Sequence, residues 1–255
     1  MGVRHFSIKG EGLREHPATL TLTGGEAHHM LRVLRLGRGS IVNLVDDTGT
    51  VARAKILWEN GHSLGMELTA AGIRTEDRLP VELVVGLLKK SRMDWLIQKA
   101  TELGAAAIRP VTTEHTVVRI RDDDSEQRRG RWREIARQAL KQCRGHLAPT
   151  IHPLASLYDV LEDSSSHGAK LVLWEAESDT DLLSAWREQG NTVPLTIVVG
   201  PEGGFSMNEI VACERAGFHR ASMGSRTLRA ETAAIAALAA LGAAMAAMAG
   251  EKTSD

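Results

Sequence analysis

The chain predicts an α/β protein in two parts: a small β-barrel over residues 1–72, joined by a linker at 73–80 to a domain over 81–255 built on a mostly parallel sheet. Three observations carry that reading. Up to residue 72, short strand-like runs are separated by turn signals. From Val81 onward, strand-like and helix-like runs alternate. Glu175, Gly200 to Gly203 and Met223-Gly224 then all fall at the carboxyl ends of expected strands, the edge where ligands collect in open α/β sheets.

Composition sets the outer bounds. A chain of 255 residues with 43% hydrophobic and 25% charged residues can bury a sizeable core and is not a disordered polyelectrolyte. A formal net charge of -1 excludes a uniformly basic protein, so any contact with nucleic acid must come from local clusters. Cys143 and Cys213 form no metal-ligand spacing and suit a reducing, cytoplasmic setting. The N-terminus carries no basic segment followed by an apolar one, so no secretory signal is expected. The uncharged stretch Thr232 to Gly250 is about long enough to cross a bilayer, but it is mostly alanine. A buried helix, packed closely on all sides through its small side chains, is the expectation.

In the first part, strands are expected at Val3 to Ile8, Thr19 to Thr23, Ile41 to Val45, Val51 to Leu57 and Leu64 to Ala70. Asp46-Asp47-Thr48-Gly49 and Glu59-Asn60-Gly61 are the turns. One helix is expected from the capping box Thr23-Gly24-Gly25-Glu26 to about Leu36. Arg32, Arg35 and Arg38 against Glu26 make a positive patch, and arginine's planar fork can grip phosphate or stack on a base. A solvated helix face remains the plainer alternative. His28-His29 is not a metal pair, because adjacent helical positions point about 100° apart and no i, i+4 ligand follows. No metal is expected.

In the second part, a strand at Val81 to Leu87 precedes a helix capped by Ser91 with Asp94, which Gly104 ends. Strands follow at Ala107 to Val111 and Lys170 to Trp174, with helices at Arg131 to Arg144 and Asp181 to Gln189. Basic clusters stand at Lys89-Lys90-Arg92, at Arg119-Arg121 and at Arg128-Arg129-Arg131-Arg133. The last could track phosphates, or could belong with Asp122-Asp123-Asp124 to a charged loop.

The stretch from Leu195 to Thr232 is the most informative. Its apolar run, Thr196 to Val199, stops at Gly200-Pro201-Glu202-Gly203-Gly204, and a helix starts at Ser206 with Glu209 three residues on. That capping box already occupies the first helical N–H groups, and neither phosphate-loop pattern is present, so a nucleotide phosphate is not the expected guest. A carboxylate beside a closely approachable backbone suits a cationic or amine-bearing ligand. A turn that merely reverses the chain would read the same way.

After Gly217 a short strand leads into Met223-Gly224-Ser225-Arg226-Thr227-Leu228-Arg229-Ala230-Glu231-Thr232. Together, Gly200-Pro201-Glu202-Gly203-Gly204 and this segment resemble the SPOUT methyltransferases of the RsmE type. Gln98-Lys99-Ala100-Thr101-Glu102-Leu103-Gly104, Trp174-Glu175 and His28-His29-Met30-Leu31-Arg32-Val33-Leu34-Arg35 add to the resemblance, which spans nearly the whole chain. Met223 and Thr227 stand where the family usually has Leu and Ile, and Lys141 replaces a frequent Glu.

The resemblance implies S-adenosylmethionine-dependent methylation of N3 of one uridine in 16S ribosomal RNA of the small subunit. It also implies a PUA-like front barrel that binds RNA, a deep trefoil knot in the second domain, and a homodimer. Residues implied to hold the cofactor are Leu173, Glu175, Val199, Gly200, Glu202, Gly203, Met223, Gly224, Leu228, Arg229 and Ala230. Those implied to contact RNA are Arg4, His28, His29, Arg32, Arg35, Lys89 and Arg92. Methylation at N3 needs a proton acceptor and a cation for the resulting anion. Arg229 is the first candidate for the cation and Arg226 the second, with Glu231 or Glu202 to accept the proton. Glu231 could equally be a helix N-terminal acid favoured by the dipole. Alternatives are a SPOUT enzyme for another RNA or for a ribose 2′-hydroxyl, and a non-catalytic RNA-binding or ribosome-assembly module.

Overall fold

The computed structural model describes residues 5–8, 13, 19–46, 50–68, 73–74, 78–118, 122–143, 145, 147–163 and 168–251. Its contacts divide the chain into two units, Met1–Asp77 with Leu140–Leu147, and Arg78–Ala139 with Ala148–Asp255.

The first unit is built on β1 (His5–Ser7), β2 (Thr19–Thr23), β3 (Ile41–Val45), β4 (Thr50–Glu59), β5 (Ser63–Leu68) and β6 (Ile73–Arg74). They form one sheet in the order β1-β3-β4-β5-β2, with β6 on β4. Every pairing is antiparallel except β1 with β3. Alternate residues of β4, Ala52, Ala54 and Ile56, point into a core shared with Leu22, Leu44 and Met66. The expected linker is shorter than read from sequence: Ile73 and Arg74 pair with Val51 and Thr50, and the next strand already begins at Leu79. Proline does not prevent this, because Pro80 sits at the start of that strand.

The helix of this unit also departs from expectation. Helix α1 covers Gly24–His28, and a π-helical turn, His29–Val33, replaces its expected continuation. The chain leaves that turn through Arg35 at φ 51, with the Leu36 N–H donating to the Met30 carbonyl at 2.9 Å. Thr23 makes no side-chain cap, and the Glu26 carboxylate pairs with Lys141 of the same unit instead of reaching back along α1. An ammonium is a stronger partner for a carboxylate than one amide.

The second unit comprises β7 (Leu79–Gly86), α2 (Lys90–Glu102), β8 (Ala105–Thr112), α3 (Asp122–Cys143) as far as Ala139, its last residues from Leu140 counting with the first unit, β9 (Thr150–Ile151), β10 (Ala155–Ser156) and α4 (Leu157–Glu162). It continues with β11 (Ala169–Leu173), α5 (Leu182–Glu188), β12 (Leu195–Val199), α6 (Met207–Arg215), β13 (His219–Ala221) and α7 (Ala230–Glu251). The sheet runs β10-β8-β7-β12-β11-β13 with β9 on β8, and all pairings among the described strands are parallel. Each central strand feeds two cores. Val81, Leu83 and Val85, Leu171 and Leu173, and Ile197 and Val199 pack against α2, α5 and α7. Val84, Val172 and Val198 pack against α4 and α6. Burial on both faces is why these strands read as unbroken apolar runs.

Two helix starts differ from the sequence reading. Helix α2 begins at Lys90 with Lys89 as its N-cap, and Ser91 caps nothing. Asp94, the expected partner of Ser91, is instead engaged by Arg131 of α3, Nη2 to Oδ2 at 2.6 Å. Helix α3 begins at Asp122 rather than Arg131. Glu126 with Arg129 and Glu134 with Arg137 are i, i+3 pairs that support a strongly charged helix, so the Asp122-Asp123-Asp124 run is its acidic first turn rather than a loop. Helix α7 buries Ala234, Ala237, Leu238 and Leu241, while Thr232, Ala239, Ala243 and Ala246 are exposed. Burial on all sides was expected; one face is buried, because α7 covers a single side of the sheet. By length and composition alone, Ala230–Ala249 would also pass for a membrane span.

Candidate active site

The strand order itself assembles the site. Because β12, β11 and β13 are parallel neighbours, with Leu173 level with Val199 and Ala221, the three segments leaving them emerge side by side. They enclose a cavity of about 310 Å³. Trp174 and Glu175 come from the end of β11, Gly200 to Glu202 and Gly204 from the turn after β12, and Ser222 to Gly224 with Arg226 to Ala230 from the segment between β13 and α7. Arg92 of α2 completes the wall.

Each segment is held by named bonds. The Trp174 N–H donates to the Ala221 carbonyl at 3.1 Å, and the Ser222 N–H to the Thr180 carbonyl at 2.8 Å. The Gly204 N–H closes the turn onto the Pro201 carbonyl at 3.0 Å. Gly204 has φ +70, a conformation strained for any residue with a side chain, and a Cβ there would also press on the tip of the Glu175 side chain, 2.7 Å from Oε1. Gly224, at φ +103, borders open space in which a ligand can lie against the backbone.

The capping box at α6 forms as the sequence indicates. Ser206 Oγ accepts from the Glu209 N–H at 3.2 Å, and the Ser206 N–H donates to Glu209 Oε2 at 2.9 Å. Glu209 is fully buried, and its Oε1 accepts from the Glu114 N–H at 2.8 Å. The start of α6 is thus closed to an anion.

Charge in the cavity is arranged around Arg92. Its Nη1 lies 3.2 Å from Glu202 Oε1 and its Nε 3.7 Å from Glu231 Oε1. Glu202 Oε1 also accepts from the Lys89 N–H at 3.3 Å, a carboxylate lent to the start of α2 from the opposite loop. Glu231 is 8% exposed, its Oε2 is buried with no hydrogen-bond partner among the described residues, and it does not line the cavity. Arg226 and Arg229 line the mouth, are exposed, and enter no ion pair among the described residues.

Of the residues expected at a cofactor site, Leu173, Glu175, Val199, Gly200, Glu202, Met223, Gly224, Leu228, Arg229 and Ala230 line this one cavity. Gly203 does not; it packs against His115, whose Cβ would stand 2.8 Å from a Cβ added at position 203. Among those expected to meet RNA, His28, His29, Arg32 and Arg35 are exposed on the first unit, and Lys89 is exposed at the start of α2. Arg92 belongs to the cavity instead. Arg4, and the cluster at Arg119 and Arg121, lie outside the described residues. In the Arg128 run, Arg129 and Arg133 pair with Glu126 and Arg131 with Asp94, which leaves Arg128 the one member without an ion pair among the described residues. Ser222, Pro201 and Ala233 line the cavity without having been singled out. Ser222 had a readable signal, since it directly precedes Met223. Arg92 had none, because its partner Glu202 lies 110 residues away.

Comparison with known proteins decides the family. A family model described as an RNA methyltransferase domain matches residues 75–242, and one described as an RNA methyltransferase PUA domain matches residues 22–64. The chain is 34% identical over 218 residues, 85% of its length and 70% of the relative's, to ribosomal RNA small subunit methyltransferase E of Synechocystis sp.. The chain belongs to that family. The protein of the same name from Bacillus subtilis is 28% identical, with 87% of this chain and 88% of that protein covered. The crystal structure of a ribosomal RNA small subunit methyltransferase E from Neisseria gonorrhoeae bound to S-adenosyl methionine superposes with a TM-score of 0.74 at 26% identity, covering 94% and 97% of the two chains. As a family member the protein is an RNA methyltransferase, and the expected fold, a parallel α/β methyltransferase unit with a PUA-like sheet ahead of it, is the one observed.

Proposed function

We propose that the protein transfers a methyl group from S-adenosylmethionine to N3 of one specific uridine in 16S ribosomal RNA of the small subunit. The carrying observation is the cavity at the ends of β11, β12 and β13, whose wall combines two carboxylates with an open, left-handed Gly224. S-adenosylmethionine fits this donor set: Glu175 and Glu202 suit its cationic centres, and Leu173, Val199, Leu228 and Ala230 supply apolar surface for its adenine. When bound, it supplies an electrophilic methyl on a positively charged sulfur.

The chain's own residues hold the base, take up its proton and stabilise the charge left behind. Among the described residues both hydrogen bonds to Glu202 fall on Oε1, which leaves Oε2 to accept the N3 proton. Arg92, clamped by Glu202 and Glu231, and Arg229 at the mouth face the resulting anion. Glu231 then acts on Arg92 from behind rather than on the base. Because N3 is hidden in a paired base, the target uridine enters unpaired or flipped out.

In this reading residues 1–72 grip RNA and 81–255 carry out the transfer in a cytoplasmic setting. The trefoil knot and a homodimer belong to the same proposal, and the exposed small residues of α7, among them Ala239, Ala243 and Ala246, favour a second copy packing there. The test incubates protein and cofactor with small subunits from cells lacking the activity, then maps modification by primer extension. A stop at one uridine is the expected result. Ribose methylation or a transfer RNA product would redirect the assignment to another SPOUT reaction, and no cofactor binding at micromolar levels would leave an RNA-binding module.

A further inference from the structure

The geometry points to a base-stacking platform at Trp58 in the first unit, which receives an unpaired nucleobase of the substrate RNA. The inference rests on the reading that the substrate is RNA. Along β4, strict alternation would carry the series Ala52, Ala54, Ile56 into the core once more at residue 58. A bulge prevents this: Ile56 pairs with Met66, but Trp58 pairs with Gly65, so one extra residue intervenes and the indole turns outward. It is 45% exposed.

The indole lies over Gly65. A Cβ on Gly65 would lie 2.0, 2.2 and 2.7 Å from Trp58 Nε1, Cε2 and Cδ1, so the ring occupies the space that any other residue at 65 would fill. Trp186, by contrast, is buried and uses its Nε1 to donate to the Thr192 carbonyl at 3.0 Å. Trp58 Nε1 donates no hydrogen bond among the described residues. A large aromatic surface seated on Gly65 and left open is suited to stacking, because every base offers a π-face to it.

Arginines stand on the segments next to this end of β4. The Gly39 N–H donates to the Ile56 carbonyl at 2.8 Å and the Ile56 N–H to the Ser40 carbonyl at 2.9 Å, so the segment bearing Arg38 runs along β4 just before the bulge. Arg32 reaches the β4–β5 turn, with Nη2 3.7 Å from where a Gly61 Cβ would stand. Arg35 holds the left-handed φ of 51, a conformation costly for a residue with a side chain. Arg32, Arg35 and Arg38 are exposed and in no ion pair among the described residues, with Glu59 the nearby acid. An open aromatic plate, with exposed guanidinium groups on the segments next to its strand, matches single-stranded RNA, in which phosphates and bases alternate.

The test uses the full chain, S-adenosylmethionine and unmodified small ribosomal subunits, comparing W58A, W58L and W58F. Loss of one base stack corresponds to a rise of about 5- to 150-fold in KM for subunits. That rise is expected in W58A and W58L, with kcat and cofactor affinity unchanged and W58F within about threefold of wild type. W58L still covers Gly65, so wild-type KM in W58L would reduce Trp58 to a cover and overturn the platform, as would an unchanged KM in W58A. A loss on subunits but not on deproteinised 16S RNA would put a ribosomal protein on Trp58 and also overturn it. If wild type itself methylates no subunit, the reading of the substrate fails; if it methylates them and the variants match it, only the platform fails.

Discussion

Replacing Glu231 by Gln tests whether Arg92 is the working cation of the site. The charge on Glu231 sits 3.7 Å from Arg92 Nε and is 8% exposed. At an effective dielectric constant of about 20, unit charges at that separation attract by about 4 kcal/mol. Arg92 keeps about a third of its side chain in water and retains Glu202 at 3.2 Å, so most of that attraction is screened or replaced. A residual loss of about 1–2 kcal/mol remains, which lowers kcat by about 5- to 30-fold. The amide is nearly isosteric and removes a buried charge, one oxygen of which has no partner among the described residues, so thermal stability should change little. Single-turnover methylation of subunits with saturating cofactor measures the effect, with cofactor affinity read by calorimetry. A kcat equal to wild type, or a fall in kcat matched by an equal fall in cofactor affinity, would refute Glu231 as the residue that positions Arg92.

Other outcomes follow from the same geometry. Arg229→Ala should lower turnover more than cofactor affinity; equal losses in a calorimetric and kinetic comparison would recast Arg229 as a binding residue. Gly204→Ala places a methyl 2.7 Å from Glu175 Oε1 at φ +70, and should cost about 1–3 kcal/mol, seen as a lower melting temperature together with weaker cofactor binding. His152 is held below its ordinary value, first by burial and then by the Arg109 guanidinium. Its unfolded form therefore takes up a proton first, and the stability it supports is complete above about pH 6.5 and declines as pH falls from there through the lowered folded value. His152→Gln should accordingly flatten the fall in melting temperature between pH 7 and pH 5, and a variant that follows the wild-type slope would exclude His152 as its source.

Legibility in the sequence followed the range of the interactions. Strands buried on both faces announce themselves as apolar runs, and the turn after Val199 is marked by residue types that only an unusual backbone requires. The Ser206–Glu209 box was readable because both partners lie within one helical turn. Thr23-Glu26 and Ser91-Asp94 carry the same local signal and form nothing of the kind, because Lys141 and Arg131 take the carboxylates from far along the chain. Spacing cannot report such a competition. The clamp on Arg92 was hidden for the same reason, and the outward turn of Trp58 was hidden because one inserted residue inverts an alternation that otherwise holds.

The doubly used carboxylate of Glu209 has a consequence for how the pocket works. It fastens the first turn of α6 and, through the Glu114 amide, the loop whose His115 lies against Gly203. The end of the turn after β12, from Gly203 to Ser206, is therefore tied down before any guest reaches the Gly200 to Glu202 part of it that lines the cavity. A guest meets a finished surface rather than one it must mould, so little of its binding energy is diverted to ordering the backbone beneath it.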